Sequence, residues 1–338
     1  MSSTMQQPAA GNLDLRPGRP PILWTNPGPD PVGWAAHFRN DVRQIVARHG
    51  SVMIRGLGVR DHAQTAAVFG RLAAVGLLAE REPFAPRTAL GNGLYSSTQW
   101  PATQQMCLHN ELSYLPDPPA FMFFACLRPA ASGGATPVGD ASAVLQALPQ
   151  PLVARLDHEG WLLVRNYNDE IGASWAEAFG TSDRGAVEHY CRSQGIEFTW
   201  NGDSLSTRQR RRAVVRHPVD GRPCWFNQVA FLSEWSLDPD VREFLLDVYG
   251  PDGLPFNTRY GNGEPVGEDV VELLNEVYTA HTVREPWRIG DLMIVDNIRT
   301  AHSREPYEGP REVLVGLADP LRLTGCSATF GGVESDRR

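Results

Sequence analysis

The chain has 338 residues, of which 42% are hydrophobic and 21% are charged, as is usual for a globular protein with a sizeable core. Its net charge of -8 argues against a nucleic-acid-binding surface, and no uncharged apolar run is long enough to span a membrane. Five cysteines without a CxxC pair, and an N-terminus without signal-peptide features, predict a reduced cytoplasmic protein.

The first part of the chain is predicted to alternate helices with strands. Residues 1–20, rich in Pro, Gly and small side chains, are expected to form a flexible arm. A helical pattern ends at Gly50, the segment "SVMIRGL" follows as a strand, and a second helix is predicted from Asp61 to about Leu77. The apolar run "PPAFMFFACLRPA" predicts a buried strand, and "ASAVLQALP" predicts a helix.

The second part shows the same alternation. "RAVVRHPVDGRPCWFNQVAF" predicts a hairpin with its turn at Asp220-Gly221, and helices are expected at about 239–249 and 267–281. "LMIV" and "REVLVGLAD" predict two strands near the C-terminus. The basic run from Arg208 to Arg212 is expected to be a solvated turn or helix end, since the whole-chain charge disfavours polyanions.

Strands near both ends, with helices between them, favour a fold that is mainly β with α. We expect a β-sandwich or jelly-roll core with helices packed outside it. No composition break is strong enough to divide the chain. The prediction is one domain over 21–338, with a helical insertion at about 140–290.

The segment "LHNELSYL" contains a histidine and a carboxylate at strand spacing. On a β-strand, His109 and Glu111 would project from the same face. The pair indicates either an exposed strand end or part of a metal site, and an H-x-E pair alone is a weak signal. Two histidines and one carboxylate bind iron in non-heme oxygenases and leave positions open for substrate and oxygen.

His302 is the candidate for the third ligand. It follows the buried strand "LMIV", and Arg311 follows it at short distance, at the start of the next strand. A guanidinium can bind a carboxylate through two hydrogen bonds. An oxygenase that uses 2-oxoglutarate needs both a metal site and a cation for the distal carboxylate of that co-substrate.

Three segments resemble the taurine dioxygenase-like (TauD/TfdA) family of iron- and 2-oxoglutarate-dependent oxygenases, and within it the clavaminate synthase-like branch. They are "GNGLYSSTQWPATQQMCLHNELSYLPDPPAFMFFACLRPAASGGATPVGDAS", "VVRHPVDGRPCWFNQ" and "PWRIGDLMIVDNIRTAHSREPYEGPREVLVGLAD". Together they are far more specific than the spacing of three residues. The resemblance implies a double-stranded β-helix, a jelly-roll or cupin-like barrel with helices outside.

The resemblance also implies roles for single residues. His109, Glu111 and His302 would bind Fe(II), Arg311 would pair with 2-oxoglutarate, and Thr136 would contact the same co-substrate or serve as a turn residue. Arg304 is the alternative to Arg311. Halogenating relatives lack the carboxylate, so Glu111 favours hydroxylation over halogenation.

The implied reaction consumes O₂ and 2-oxoglutarate, releases succinate and CO₂, and hydroxylates an unactivated C–H bond. By analogy with the family, the substrate is an amino acid or a derivative of one in secondary metabolism such as antibiotic biosynthesis, either free or attached to a carrier protein. Tyr114, Asn227 and Asn92, the last in a loop that could close over the site, are the candidate substrate contacts. The oligomeric state is not indicated.

Three alternatives remain open at this stage. The same oxygenase chemistry could end in desaturation, epoxidation or cyclisation. A jelly-roll protein without catalysis could use the cavity for binding alone, although such a protein would be expected to lack a ligand. A zinc hydrolase could also use two histidines and a glutamate, but the helical H-E-x-x-H motif is absent from the sequence.

Overall fold

A computed structural model describes residues 10–84, 87–168 and 170–323, which form two compact units. The first unit takes its described residues from the segments 1–111, 119–141 and 278–321, and the second from 112–118, 142–277 and 322–338. Among the described residues, no helix is long and apolar enough to cross a membrane. Four cysteines are free thiols, and Cys326 lies outside the described residues.

The described strands in chain order are β1 (Asn12–Asp14), β2 (Ile22–Trp24), β3 (Ser51–Arg55), β4 (Ala89–Gly91), β5 (Leu94–Tyr95), β6 (Met106–His109), β7 (Pro119–Arg128), β8 (Ser132–Gly133), β9 (Val138–Asp140), β10 (Trp161–Tyr167), β11 (Glu197–Asn201), β12 (Ser204–Arg211), β13 (Val214–Arg216), β14 (Pro223–Trp225), β15 (Phe256–Tyr260), β16 (Thr282–Val283), β17 (Leu292–Asp296), β18 (Thr300–Arg304), β19 (Tyr307–Glu308) and β20 (Glu312–Pro320). The α-helices are α1 (Pro31–His49), α2 (His62–Leu72), α3 (Ala141–Ala147), α4 (Gln150–Glu159), α5 (Trp175–Phe179), α6 (Arg184–Ser193), α7 (Pro239–Tyr249) and α8 (Glu268–Ala280).

The first unit is built on two sheets of mainly antiparallel strands. The larger sheet has the order β1-β2-β3-β17-β7-β20-β5-β4, and the smaller one has the order β16-β9-β18-β6. Strands β7, β17 and β20 form the centre of the larger sheet, and each is an almost continuous apolar run, which suits a strand buried on both faces. A short ribbon of β8 and β19 completes the unit.

Helices α1 and α2 cover one face of the larger sheet. Phe38 and Val42 of α1 and Phe69 of α2 share a core with sheet residues such as Ile54 and Phe123. Both helices are amphipathic, and their apolar stripe is the surface that reaches this core. The opposite face of the larger sheet lines the cavity of the candidate site.

The second unit has its own four-stranded antiparallel sheet, in the order β11-β12-β10-β15, and a β13–β14 hairpin. The insertion expected to be helical, at about 140–290, therefore contains a sheet as well as helices. The hairpin and the helices predicted at 239–249 and 267–281 are found, with α8 one residue shorter at each end.

The basic run at Arg208–Arg212 corrects the sequence interpretation. It is neither a turn nor a helix end, because residues 208–211 belong to strand β12, which pairs with both β10 and β11. Arg208 and Arg210 are exposed, whereas Arg211 is buried and its Nε donates to the Tyr114 carbonyl oxygen at 2.6 Å. The alternation of the arginines is therefore the two-residue period of a strand.

Two further boundaries differ from expectation. Helix α2 ends at Leu72 and not near Leu77, because the N–H groups of Ala74, Val75 and Gly76 donate to the Asp319 carboxylate. The expected N-terminal arm lies outside the described residues up to residue 9. Its described part includes β1, which pairs with β2.

Candidate metal and co-substrate site

Two histidines face each other across one strand pair of the smaller sheet. His109 is the last residue of β6, His302 is the central residue of β18, and the two are register partners. Their ring centroids lie 4.6 Å apart, as expected for directly opposed side chains on antiparallel strands. Strand pairing thus brings together two buried imidazoles that are far apart in the sequence.

Glu111 lies beyond the end of β6, so the expectation that the H-x-E pair occupies one strand is wrong. Asn297, in the turn between β17 and β18, substitutes for a neighbouring strand. Its Oδ1 accepts a hydrogen bond from the Glu111 N–H at 2.7 Å, and its Nδ2 donates to the Glu111 carbonyl oxygen at 2.9 Å. The backbone at Glu111 is therefore fixed by a side chain and not by a strand ladder.

The Glu111 carboxylate points towards both imidazoles. Its Oε2 lies 3.5 Å from Nε2 of His302 and 3.9 Å from Nε2 of His109. Burial by itself raises the pKa of Glu111. The charge of Arg87 and the two imidazoles outweigh that effect, and the pKa lies well below its usual range. The carboxylate is therefore an anionic oxygen donor at neutral pH.

The protonation of the imidazoles suits a metal ligand. Nδ1 of His109 lies 2.8 Å from the Cys107 carbonyl oxygen, which can only accept, so Nδ1 carries a proton and Nε2 is the nitrogen that faces Glu111. Burial, together with the nearby His109, lowers the pKa of His302 to about 4, so that ring is neutral at pH 7. Candidate ligand atoms of all three side chains lie within 4.8 Å of one another. This donor set fits a divalent first-row metal with open coordination positions.

A cavity adjoins His109 and His302, between the two sheets of the first unit. It encloses about 400 Å³ of space, part of which is open to solvent. Its apolar wall comes from β6, β7 and β20, namely Met106, Phe124, Val313 and Val315. The Phe124 ring packs against His302, with 5.2 Å between ring centroids. The cavity therefore offers a mainly apolar chamber beside the donor set.

Arg311 places a positive charge in this cavity. Its Nε donates to the Gly134 carbonyl oxygen at 2.9 Å, and its Nη1 donates to Ser97 Oγ at 3.2 Å. Among the described residues, no carboxylate pairs with it and Nη2 makes no hydrogen bond. Burial lowers the pKa of Arg311 to about 10, since its charge is poorly compensated. A guanidinium in this state is suited to receive a carboxylate from a ligand.

Arg304, the alternative cation, is differently occupied. Its Nη atoms donate to three carbonyl oxygens of the segment between β5 and β6, those of Trp100, Pro101 and Gln104, at 2.9, 2.6 and 2.9 Å. Both terminal nitrogens are therefore engaged in holding that segment. The arrangement favours Arg311 over Arg304 as the cation available to a co-substrate.

Thr136 also lines the cavity, in the link between β8 and β9. The indole Nε1 of Trp287 donates to its Oγ1 at 3.2 Å. A hydroxyl that accepts this bond keeps its own proton for another acceptor. The structure thus leaves the Thr136 O–H able to donate to a group in the cavity.

The residues that line this cavity do not include the three predicted substrate contacts. Tyr114 and Asn227 belong to the second unit and are buried there; Asn227 Nδ2 donates to the Ala213 carbonyl oxygen, and its Oδ1 accepts from the Val229 N–H, both at 3.1 Å. Asn92 is exposed at the tip of the β4–β5 hairpin and has a positive φ of 53°. Their roles as substrate contacts stay predictions.

Sequence reasoning missed Arg87, which contacts the Glu111 carboxylate at 2.9 Å. Its segment, between α2 and β4, has no periodicity and no motif, so no pattern distinguishes it from a solvated arginine. Asn297 and Trp287 were also missed. Both stand in the quoted segment "PWRIGDLMIVDNIRTAHS", but their roles depend on hydrogen bonds that a spacing rule does not express.

Comparisons with known proteins find a family model and relatives that resemble this chain. The family model described as "Taurine catabolism dioxygenase TauD, TfdA family" matches residues 18–317. Dapdiamide synthesis protein DdaC of Enterobacter agglomerans is 34% identical over 281 residues, which cover 83% of this chain and 85% of that protein. A clavaminate synthase-like protein of Arabidopsis thaliana is 27% identical over 246 residues, covering 69% and 71% of the two chains.

Solved structures share the fold. PvcB, described as an Fe, alpha-ketoglutarate dependent oxygenase from an isonitrile synthetic pathway, superposes with a TM-score of 0.52 at 16% identity, over 96% of this chain and 98% of that one. AAD-2 in complex with Mn(II) and N-oxalylglycine gives a TM-score of 0.51 at 17% identity, over 93% and 98%. At such identities the likeness concerns the fold, and the predicted jelly roll with helices outside is confirmed.

Proposed function

Because the chain belongs to the TauD, TfdA family of Fe(II)- and 2-oxoglutarate-dependent dioxygenases, we propose that it hydroxylates a C–H bond of an amino acid or an amino-acid-derived small molecule. Enzymes of this family use Fe(II), 2-oxoglutarate and O₂. What remains to be proposed is which residues hold these groups, and what class of molecule is oxidised.

The observation that carries the proposal is the buried donor set of His109, Glu111 and His302. The imidazoles of His109 and His302 and the anionic carboxylate of Glu111 would hold Fe(II) and leave room for the co-substrate and oxygen. Bound iron, with 2-oxoglutarate and O₂, supplies the oxidising power for breaking an unactivated C–H bond. Glu111 fills the place that halogenating relatives leave for halide, which favours hydroxylation.

Two cavity residues would orient 2-oxoglutarate. The Arg311 guanidinium has no acidic partner among the described residues and would bind the distal carboxylate. Thr136, whose oxygen already accepts the Trp287 N–H, would donate its hydroxyl proton to the co-substrate. The contacts of Arg311 and Thr136 leave an N–H of the guanidinium and the hydroxyl proton free to donate to a group in the cavity.

The apolar wall has a separate task. Phe124, Val313 and Val315 offer no proton and no nucleophile, so they exclude water beside the metal site and leave the substrate C–H as the available target. The reaction needs no general base from the protein. The protein's contribution to rate and selectivity is to hold one C–H bond near the metal site.

The substrate class is supported by the relatives. DdaC is a dapdiamide synthesis protein, and the matching segments resemble the clavaminate synthase-like branch. Together they favour an amino-acid-derived substrate in the biosynthesis of an antibiotic or a similar secondary metabolite. A substrate attached to a carrier protein remains the alternative form of delivery.

A succinate-release assay across free amino acids, amino-acid amides and aminoacyl-carrier proteins tests the proposal. We expect substrate-dependent succinate formation matched by a product heavier by one oxygen atom. A product lighter by two hydrogens would instead assign desaturation or cyclisation. No substrate-stimulated turnover across the whole panel, in a protein that binds Fe(II) and 2-oxoglutarate, would contradict the amino-acid class. His302→Ala, which removes one proposed ligand, is the inactive control.

A further inference from the structure

Arg87 joins the metal site to a second buried carboxylate. Its Nη2 donates to Glu111 Oε2 at 2.9 Å, and its Nη1 donates to Glu80 Oε1 at 2.8 Å. The side chains of Glu80, Arg87 and Glu111 are only 8%, 6% and 7% exposed. A buried ion pair is stable only when its members are fully hydrogen-bonded. The stability of these two pairs therefore depends on the other contacts of Arg87.

Each edge of the Arg87 guanidinium is engaged. Besides the two carboxylates, its Nε donates to Thr98 Oγ1 at 2.9 Å. Glu80 is held in turn, because its backbone N–H donates to the Tyr95 hydroxyl at 2.8 Å. A planar guanidinium bonded on all its nitrogens has one orientation, so the position of Nη2 relative to Glu111 is fixed by Glu80 and Thr98.

Arg87 approaches the same oxygen of Glu111 that faces the imidazoles. Oε2 lies between Arg87 on one side and Nε2 of His109 and His302 on the other. Rotation of the carboxylate away from the imidazoles would break the hydrogen bond to Arg87. The arginine therefore selects the rotamer of Glu111 in which the three donor groups converge.

We propose that Arg87 is a positioning residue of the metal site, anchored by Glu80, which holds Glu111 in its metal-binding orientation before the metal arrives. The inference rests on the proposed function, since it takes Glu111 as a metal ligand. Partners that orient metal ligands typically contribute about 10- to 100-fold to metal affinity. In this role Arg87 acts through Glu111, although its side chain also lines the cavity.

The test measures the affinity for Mn(II) by the free-ion electron paramagnetic resonance signal, without turnover. We expect Arg87→Met to weaken Mn(II) binding by about 10- to 100-fold. Arg87→Lys keeps the positive charge but loses the planar guanidinium. Glu80→Gln keeps the guanidinium but weakens the contact that holds it. Both variants should weaken Mn(II) binding less than Arg87→Met does. If circular dichroism shows that Arg87→Met does not fold, the Mn(II) affinities of Arg87→Lys and Glu80→Gln test the proposal.

Arg55→Met is the matched control, because Arg55 is a buried arginine that also bridges two carboxylates, Glu285 at 2.6 Å and Asp291 at 3.0 Å. It should lower stability and leave Mn(II) affinity unchanged. Equal or tighter Mn(II) binding by folded Arg87 and Glu80 variants would overturn the inference. If the wild-type protein itself bound no Mn(II), the proposed function would fail instead, so the two failures are distinguishable.

Discussion

Glu111 shows how one side chain's role depends on neighbours far away in the sequence. Asn297 fixes its backbone, Arg87 contacts its carboxylate, and His302 faces it from the adjacent strand. A carboxylate buried without these partners would take up a proton and lose its value as an anionic ligand. The site is therefore a property of the contacts as much as of the three donor residues.

At this scale the first prediction separates the two candidate cations. Arg311→Met should weaken 2-oxoglutarate binding by about tenfold to 150-fold, the equivalent of about 1.5–3 kcal/mol for a hydrogen bond to a charged group. Arg304→Met should lower the melting temperature, because its three carbonyl contacts are lost, but change 2-oxoglutarate affinity by less than about threefold. Isothermal titration of 2-oxoglutarate into the Mn(II) protein measures the two affinities, and thermal unfolding measures the melting temperature. The reverse pattern of affinities would assign the co-substrate to Arg304.

A second prediction concerns Trp287. Trp287→Phe removes the N–H that fixes Thr136 Oγ1, so 2-oxoglutarate affinity should fall by about threefold to tenfold, as expected for one neutral hydrogen bond. Trp161→Phe is the control, since the Trp161 indole also donates a hydrogen bond, to the Arg212 carbonyl oxygen in the second unit. Unchanged 2-oxoglutarate affinity in Trp287→Phe would contradict the proposal that Trp287 orients Thr136 towards the co-substrate.

The role of a single residue could be predicted from the sequence only where a motif marks that role. His109, Glu111 and His302 could be proposed because metal-capable residue types recur at spacings typical of strands and within segments that resemble a family. Arg87 could not, because an arginine in an aperiodic segment has the same sequence signature whether it is buried or solvated. Its role arises from Glu80 and Thr98, which only the folded chain places beside it.

At the scale of elements, Gly50 links a helix end to the strand that carries His302. It caps α1 with a φ of 82°, and a Cβ at this position would lie 2.3 Å from Thr300 Oγ1 on β18. The close approach explains why the helix ends at a glycine here. A positive φ alone would favour glycine, and the neighbouring strand removes the space for anything larger.

Gly50→Ala should lower the free energy of unfolding by about 2 kcal/mol or more, combining left-handed backbone strain with the clash. Gly70→Ala should instead raise it by about 0.5–1 kcal/mol, since Gly70 lies within α2 and a Cβ there meets nothing within 4 Å. Urea unfolding monitored by circular dichroism measures both. Equal effects of the two substitutions would contradict this explanation of the helix end.

Element boundaries were predictable where a local signal ends the element. Gly50 ends α1 as expected, and the apolar runs of β7, β17 and β20 are strands as expected. Helix α2 stops before the predicted residue because Asp319, distant in the sequence, binds the N–H groups that would continue it. The arginine run of β12 follows the two-residue period of a strand, which its high charge obscures in the sequence.

At the level of the whole molecule, we expect metal binding to stabilise the folded chain. A ligand that binds only the native state adds about 2.7 kcal/mol when its concentration is 100 times the dissociation constant. Mn(II) with 2-oxoglutarate should therefore raise the melting temperature of the wild-type protein by several degrees, and that of His302→Ala by much less. An equal shift in both would place the metal elsewhere.

The fold class and enzyme class followed from the sequence because three long segments carry the family's pattern in the family's order. The substrate did not, because the residues that select a C–H bond need no shared motif.

Adding 2-oxoglutarate to the Fe(II) protein without oxygen, and recording the visible difference spectrum, tests whether His109, Glu111 and His302 hold the iron. Chelation of 2-oxoglutarate at iron held by His109, Glu111 and His302 should produce a metal-to-ligand charge-transfer band in the wild-type protein and none in His302→Ala. Iron that binds the wild-type protein without producing this band, or a band of full intensity in His302→Ala, would contradict the account.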